Sequence, residues 1–177
     1  MRFRIDENFK IQTELFRLQL QKVEQLGQPS VRGSQGDITI LLPANFTFAD
    51  HQEWLNKAVV AVLRQQCSVI VTPRIRAWCS RIGHPPKRIV YKDVSSRWGS
   101  CSSLGNVNFS VWLLMTPQPL LDYVICHELA HLKVPNHSPA FYVEVDRILQ
   151  AGQGAAKRLD AQLNQFSRNL VKMGRVK

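Results

Sequence analysis

Long apolar runs are missing from this chain. No stretch of its 177 residues approaches the ~18–20 consecutive apolar positions that span a bilayer, so no membrane partner is expected. The opening residues, MRFRIDENFKIQTELF, are charged throughout and lack an apolar signal core. A secretory signal is therefore not expected, and a cytoplasmic location is. Paired cysteines are missing too. Cys67, Cys79, Cys101 and Cys126 stand far apart with no CxxC, which speaks against a thiolate zinc site and against a disulfide framework. They read as reduced, mostly buried thiols.

Acidic residues are scarce. Asp and Glu number 13 against 23 Lys and Arg, a net charge of +10. The excess is uneven. Arg74, Arg76, Arg81, Lys87, Arg88, Lys92 and Arg97 face a single acid, Asp93, in the same segment. The C-terminal stretch sets Lys157, Arg158, Arg168, Lys172, Arg175 and Lys177 against Asp160. Such a balance attracts phosphates, so residues 74–97 are a possible contact for a nucleotide or nucleic acid. A solvated basic face explains it equally well.

Hydrophobic residues make up 45% of the chain, enough for one continuous core, and the length suits one domain. The expected division is an N-terminal helix and linker over 1–36, the main domain over 37–150, and a basic helix packed on it over 151–177. Phe9, Ile11, Leu15, Leu18, Leu20, Val23 and Leu26 suggest a helix over 7–26. GQPSVRGSQG (27–36) reads as a linker. DITILLP (37–43) and KRIVYKD (87–93) read as strands. Helices are predicted over 50–66, with Trp54, Leu55, Ala58, Val59, Val62 and Leu63 inward, and over about 70–82, ending at Gly83. Residues 97–115 suggest a hairpin with arms Trp98 to Ser102 and Val107 to Leu114.

Thr116-Pro117 has the cap-plus-proline form of a helix start. The following helix buries Leu121, Val124, Ile125, Leu129 and Leu132. Val134-Pro135-Asn136 should end it, because a proline disfavours helical geometry in the residue before it. Ser138-Pro139 starts another helix, with Phe141, Val145, Ile148 and Leu149 inward. A last one runs over about 155–172, with Leu159, Leu163, Phe166 and Leu170 on one face.

The segment 127–137 reads HELAHLKVPNH. His127 and His131, four apart on a helix, project from the same face and suit one Zn²⁺ at about 2.0–2.1 Å. Glu128 beside them suits a general base for a metal-activated water. His137 follows after a turn and is placed to be the third ligand, with Glu144 on the next helix as the alternative. Val134 stands where the longer pattern HExxHxxGxxH has glycine, so this turn must be built differently, with Pro135 supplying the bend. Arg97, Tyr123 and Tyr142 are candidate oxyanion stabilisers. His51 and His84 stand alone and read as surface residues.

RWGSC (97–101), the following LGNVNFS and LDYVICHELAHLKVPNHSPAF (121–141) resemble, in that order, the YgjP-like metal-dependent hydrolases of the zincin superfamily. The likeness covers about residues 37–150. Its helix-turn-histidine layout is similar to the SprT-like metalloproteases and their relatives that act on proteins crosslinked to DNA. The resemblance implies a small zincin-like α+β domain, its short mixed or antiparallel sheet packed on the HExxH helix between flanking helices. It implies one Zn²⁺ on His127, His131 and His137 plus a water, and Glu128 as base. It also puts the strand carrying Arg97, Trp98, Gly99 and Ser100 near the cleft. The expected activity is that of a metallopeptidase, with an exposed edge strand at 98–102 to receive an extended peptide. Some relatives carry a nucleoside-triphosphate (UTP) pyrophosphatase assignment, so a phosphate-bearing substrate is the second expectation. A nucleic-acid-associated zinc protein is the third.

Overall fold

The computed structural model describes residues 2–83 and 85–174, with side chains of the last helix described as far as 169. His84, Arg175 and Lys177, and the side chains of Leu170 and Lys172, lie outside the described residues.

Residues 10–43 form one sheet rather than a helix and a linker. Strands β1 (Lys10–Gln12), β2 (Arg17–Val23), β3 (Ser30–Ser34) and β4 (Asp37–Pro43) lie in the order β1-β2-β4-β3. β2 runs parallel to β4, and the other neighbours are antiparallel. The helix predicted over 7–26 fails because its apolar residues repeat every two positions where it matters. Leu18 and Leu20 partner Ile38 and Ile40 across the sheet, and Leu18 is fully buried. A turn at Thr13 separates β1 from β2, its hydroxyl accepting the N–H groups of Leu15 and Phe16. The glycines read as linker breakers instead shape a hairpin. Gly36 sits at φ 80°, and a Cβ there would lie 2.9 Å from the Leu15 carbonyl oxygen. The buried Gln66 side chain accepts the Gly36 N–H at 3.1 Å, tying this turn to the first helix.

Helix α1 (Gln52–Gln66) runs through a π-helical stretch at Cys67–Val71 into α2 (Thr72–Ile82). Leu55, Val59, Val62 and Leu63 face inward as the spacing predicts. Trp54 does not. It is 40% exposed and packs at 5.7 Å on Phe46. Gln52 and Asn56 pair through their amides with the backbone of Ile5 and Phe3, so the N-terminal residues are strapped along this helix.

A second sheet holds β5 (Arg88–Lys92), β6 (Gly99–Cys101) and β7 (Asn106–Ser110) in the order β5-β7-β6. β6 and β7 form the expected hairpin, and β5 lies parallel to β7. The second arm stops at Ser110 rather than Leu114. Val111, Trp112, Leu113 and Leu114 are all buried, which a half-exposed strand cannot achieve, and they fold as a 3₁₀ turn. The Ser110 hydroxyl accepts the Trp112 N–H to start it.

Helix α3 (Gln118–Ala130) follows, capped at Pro117 rather than Thr116, whose hydroxyl donates to the Leu113 carbonyl. It is buried on nearly every side. Its regular part ends at Ala130, earlier than the Val134-Pro135 stop, and a tight turn carries the chain on, with the Lys133 and Val134 N–H groups both returning to the Ala130 carbonyl. Helices α4 (Pro139–Leu149) and α5 (Ala155–Gly174) then pack on α3. One apolar core joins both sheets and all five helices. Among the described residues no helix is long and apolar enough to cross a membrane.

Candidate metal centre

The burial of α3 places the HExxH segment. Leu121, Val124, Ile125 and Leu129 lock the helix into the core, and this orients His127 and Glu128. His131 sits at the C-cap, and the turn after it returns His137 to the same point. The three imidazoles cluster, with ring centroids 4.7–5.0 Å apart. Each offers a ligand nitrogen, and these atoms all lie within 4.8 Å of one another. Phe141, fully buried on α4, touches all three rings and stacks on His131 at 4.4 Å. It appears in the sequence only as one residue of an inward stripe.

Hydrogen bonds at the far nitrogens decide which atoms face inward. The His131 Nδ1–H donates to the Val134 carbonyl at 3.1 Å, leaving Nε2 as a lone pair. His127 meets the Tyr123 hydroxyl through Nδ1 at 3.2 Å, while its Nε2 lies 3.0 Å from Nε2 of His137. Burial, then the neighbouring His131 and His137, push the His127 pKa down to about 3, so the ring is neutral. Three imidazole nitrogens around one point fit a metal ion.

Glu144, the alternative third ligand, takes no part. Its carboxylate is held by Arg147 and Lys133.

Glu128 is 5% exposed, and its Oε2 has no hydrogen-bond partner among the described residues. Burial pushes its pKa up to about 8, with Arg97 opposing. An unpartnered buried carboxylate oxygen is costly to keep and marks a site built for something else to meet it.

A cavity of about 520 Å³ opens beside these residues. His127 and Glu128 form its floor, Arg97, Trp98 and Gly99 one wall, and Asp160, Leu163, Asn164 and Ser167 of α5 the other. The α5 wall was not legible as such in the sequence. Trp98 reaches it directly, its indole N–H donating to the Ser167 hydroxyl at 2.8 Å. Ser100 lies on β6 and accepts from the Asn108 amide, away from the cavity lining. Tyr142 packs edge-on against Phe141 and also stays out of the lining. Tyr123 lines the cavity, but its hydroxyl is taken by Asp160 and His127.

β6 is an edge strand. The Trp98 carbonyl accepts from Ser110 and the Ser102 N–H donates to Asn106, so these positions face β7. The antiparallel alternation then turns the backbone groups of Gly99 and Cys101 away from the sheet. Of the seven basic residues in 74–97, Arg97 alone lines this cavity. Arg74 pairs with Asp122, and Arg81 lies over the Trp78 ring.

The chain matches the family described as YgjP-like, metallopeptidase domain, over residues 2–162. It belongs to that family. This YgjP-like chain is similar to two solved metallopeptidase zymogens. Abylysin of Pyrococcus abyssi is 23% identical with a TM-score of 0.46, the match covering 52% of this chain and 90% of that one. Jannalysin of Methanocaldococcus jannaschii is 17% identical with a TM-score of 0.44, covering 54% and 94%. Comparison with curated proteins gives no match.

Proposed function

We propose that this chain is a zinc-dependent peptidase with His127, His131 and His137 as metal ligands and Glu128 as general base. The observation that carries the reading is a cluster of three imidazoles whose member His127 lines one cavity together with the unpartnered buried Glu128 and Gly99 of edge strand β6. Zinc bound there would lower the pKa of its water toward ~7 and polarise a carbonyl.

The chain's own residues supply the rest. Gly99 and Cys101 offer backbone N–H and C=O groups to an extended peptide, which adds to β6 as a further strand. Such pairing lays the scissile amide across the front of Glu128. A cation held by the three histidines would favour the ionised form of Glu128, and that carboxylate would take a proton from the attacking water and return it to the leaving amine. Arg97, which lines the cavity and acts electrostatically on Glu128, is our candidate cation for the developing oxyanion. We assign the enzyme to the cytoplasm, a reducing compartment in keeping with its four free thiols.

The test is metal analysis of purified protein, followed by parallel assays on unfolded casein and on nucleoside triphosphates. Cleavage of casein that disappears with a chelator and in Glu128→Gln supports the proposal. Phosphate release that disappears in Glu128→Gln, with casein untouched, overturns it in favour of a nucleotide hydrolase.

A further inference from the structure

Asp160 lies on α5, outside the HELAHLKVPNH segment, yet one hydrogen-bonded chain links it to His127. Its Oδ1 is 2.9 Å from the Tyr123 hydroxyl, and that hydroxyl is 3.2 Å from His127 Nδ1. Tyr123 stands one helical turn before His127 on α3, so the two side chains share a face. Tyr123 is buried, and its hydroxyl meets two protein side chains, Asp160 and His127.

The direction of this chain follows from counting hydrogens. A carboxylate only accepts, so the single Tyr123 hydrogen goes to Asp160. Toward His127 the same oxygen can then only accept. His127 Nδ1 must therefore carry the ring hydrogen, and Nε2 keeps its lone pair. Nε2 is the atom turned toward His137.

We infer that Asp160 is a positioning residue for the metal centre: it orients the Tyr123 hydroxyl, which holds His127 in the one neutral form able to ligate through Nε2. The inference rests on the metal reading above. His131 receives the same service from a backbone carbonyl, which cannot be mutated away, whereas His127 depends on a side chain two links removed.

Asp160 is well placed to act without holding the fold. The start of α5 is fastened separately, the Asp146 carboxylate accepting the N–H groups of Gly154 and Ala156 at 2.6 and 2.7 Å. Buried Ala156 and Leu163 seat the helix on the core. Further along, Ser167 holds it to Trp98. Losing the Asp160 side chain leaves all of these in place.

The experiment uses the full chain with its metal removed, then restored. Nitrogen NMR of the imidazoles reads the tautomer directly in the metal-free protein. Wild type should show His127 hydrogenated at Nδ1. In Asp160→Ala the Tyr123 hydrogen is released to donate to Nδ1, so the ring hydrogen should move to Nε2. Zinc affinity, measured by competition with a chromophoric chelator, should fall about 10–100-fold, the usual cost of losing a partner behind a ligand. Asp160→Asn keeps an acceptor oxygen and should recover most of that loss. Tyr123→Phe keeps the ring and should bind zinc as weakly as Asp160→Ala, and the double variant no more weakly than either. If Asp160→Ala keeps the Nδ1 hydrogen and wild-type zinc affinity, the inference is wrong. If wild type takes up no zinc, the metal reading fails, and the tautomer measurement still decides the role of Asp160.

Discussion

Gly99 lies against the Glu128 carboxyl so closely that a Cβ built on it would stand 2.5 Å from Oε1 and 2.6 Å from Cγ. No real side chain tolerates that approach, so the absence of one at residue 99 sets where the carboxylate rests. Gly99→Ala should push Glu128 aside, the neighbouring atoms being a side chain rather than backbone. A displacement of about 1 Å at a catalytic group can cost about a hundredfold in rate. We expect a peptidase rate 10–100-fold lower, zinc content unchanged, and a stability loss of about 1–3 kcal/mol from overpacking. Rate assays beside metal analysis check this. A fully active variant would mean that Glu128 works from another position.

His137, placed by the spacing as third ligand, and Glu144, its alternative, are separated by the structure. His137 joins the imidazole cluster, and Glu144 is committed to Arg147 and Lys133. His137→Ala should weaken zinc binding by more than about a hundredfold, beyond the range for outer partners. Glu144→Gln should leave it within threefold. Chelator competition on the two variants separates the roles, and the reverse order would return Glu144 to the ligand set.

The helix carrying His127 was readable because its signals agree. The apolar face, the histidine spacing and the proline after the turn all point to one arrangement. Residues 1–36 were misread because their apolar positions satisfy a loose helical count, while the pairs that matter, Leu18 with Ile38 and Leu20 with Ile40, are contacts between distant segments. No local window contains them. Asp160 escaped for the same reason. Its partner Tyr123 is 37 positions away and entered the sequence analysis only as a candidate oxyanion stabiliser. Arg74 shows the opposite error. It counted toward a basic surface, but Asp122 on α3 neutralises it.

Phe141 supports all three imidazoles from below, so its loss should reach both the fold and the metal. It is fully buried, and Phe141→Ala should cost about 3–5 kcal/mol in urea unfolding. Phe141→Leu, which refills most of the volume, should cost less and still lower zinc affinity, because the flat support for His131 is gone. Equal zinc affinity in the wild type and the leucine variant would reduce Phe141 to a core residue.

Glu144 gives the protein a defined acid sensitivity. Hydrogen bonds from Arg147, joined by Lys133, hold its carboxyl below the ordinary range, with burial opposing. The folded pKa is thus lower than the unfolded one, near ~4.3, and the unfolded chain binds more protons between the two. The stabilisation is therefore complete above the unfolded pKa and fades as pH falls through the folded value. Arg147 and Lys133 are half exposed, so solvent screening limits the pair contribution to about 1 kcal/mol. Urea unfolding of wild type and Glu144→Gln should differ by about that amount at pH 7 and by less at pH 3. The linkage matters for the metal centre because Lys133 belongs to the turn between His131 and His137. A difference that stays constant from pH 7 to pH 3 would show that the Glu144 carboxylate titrates alike in both states.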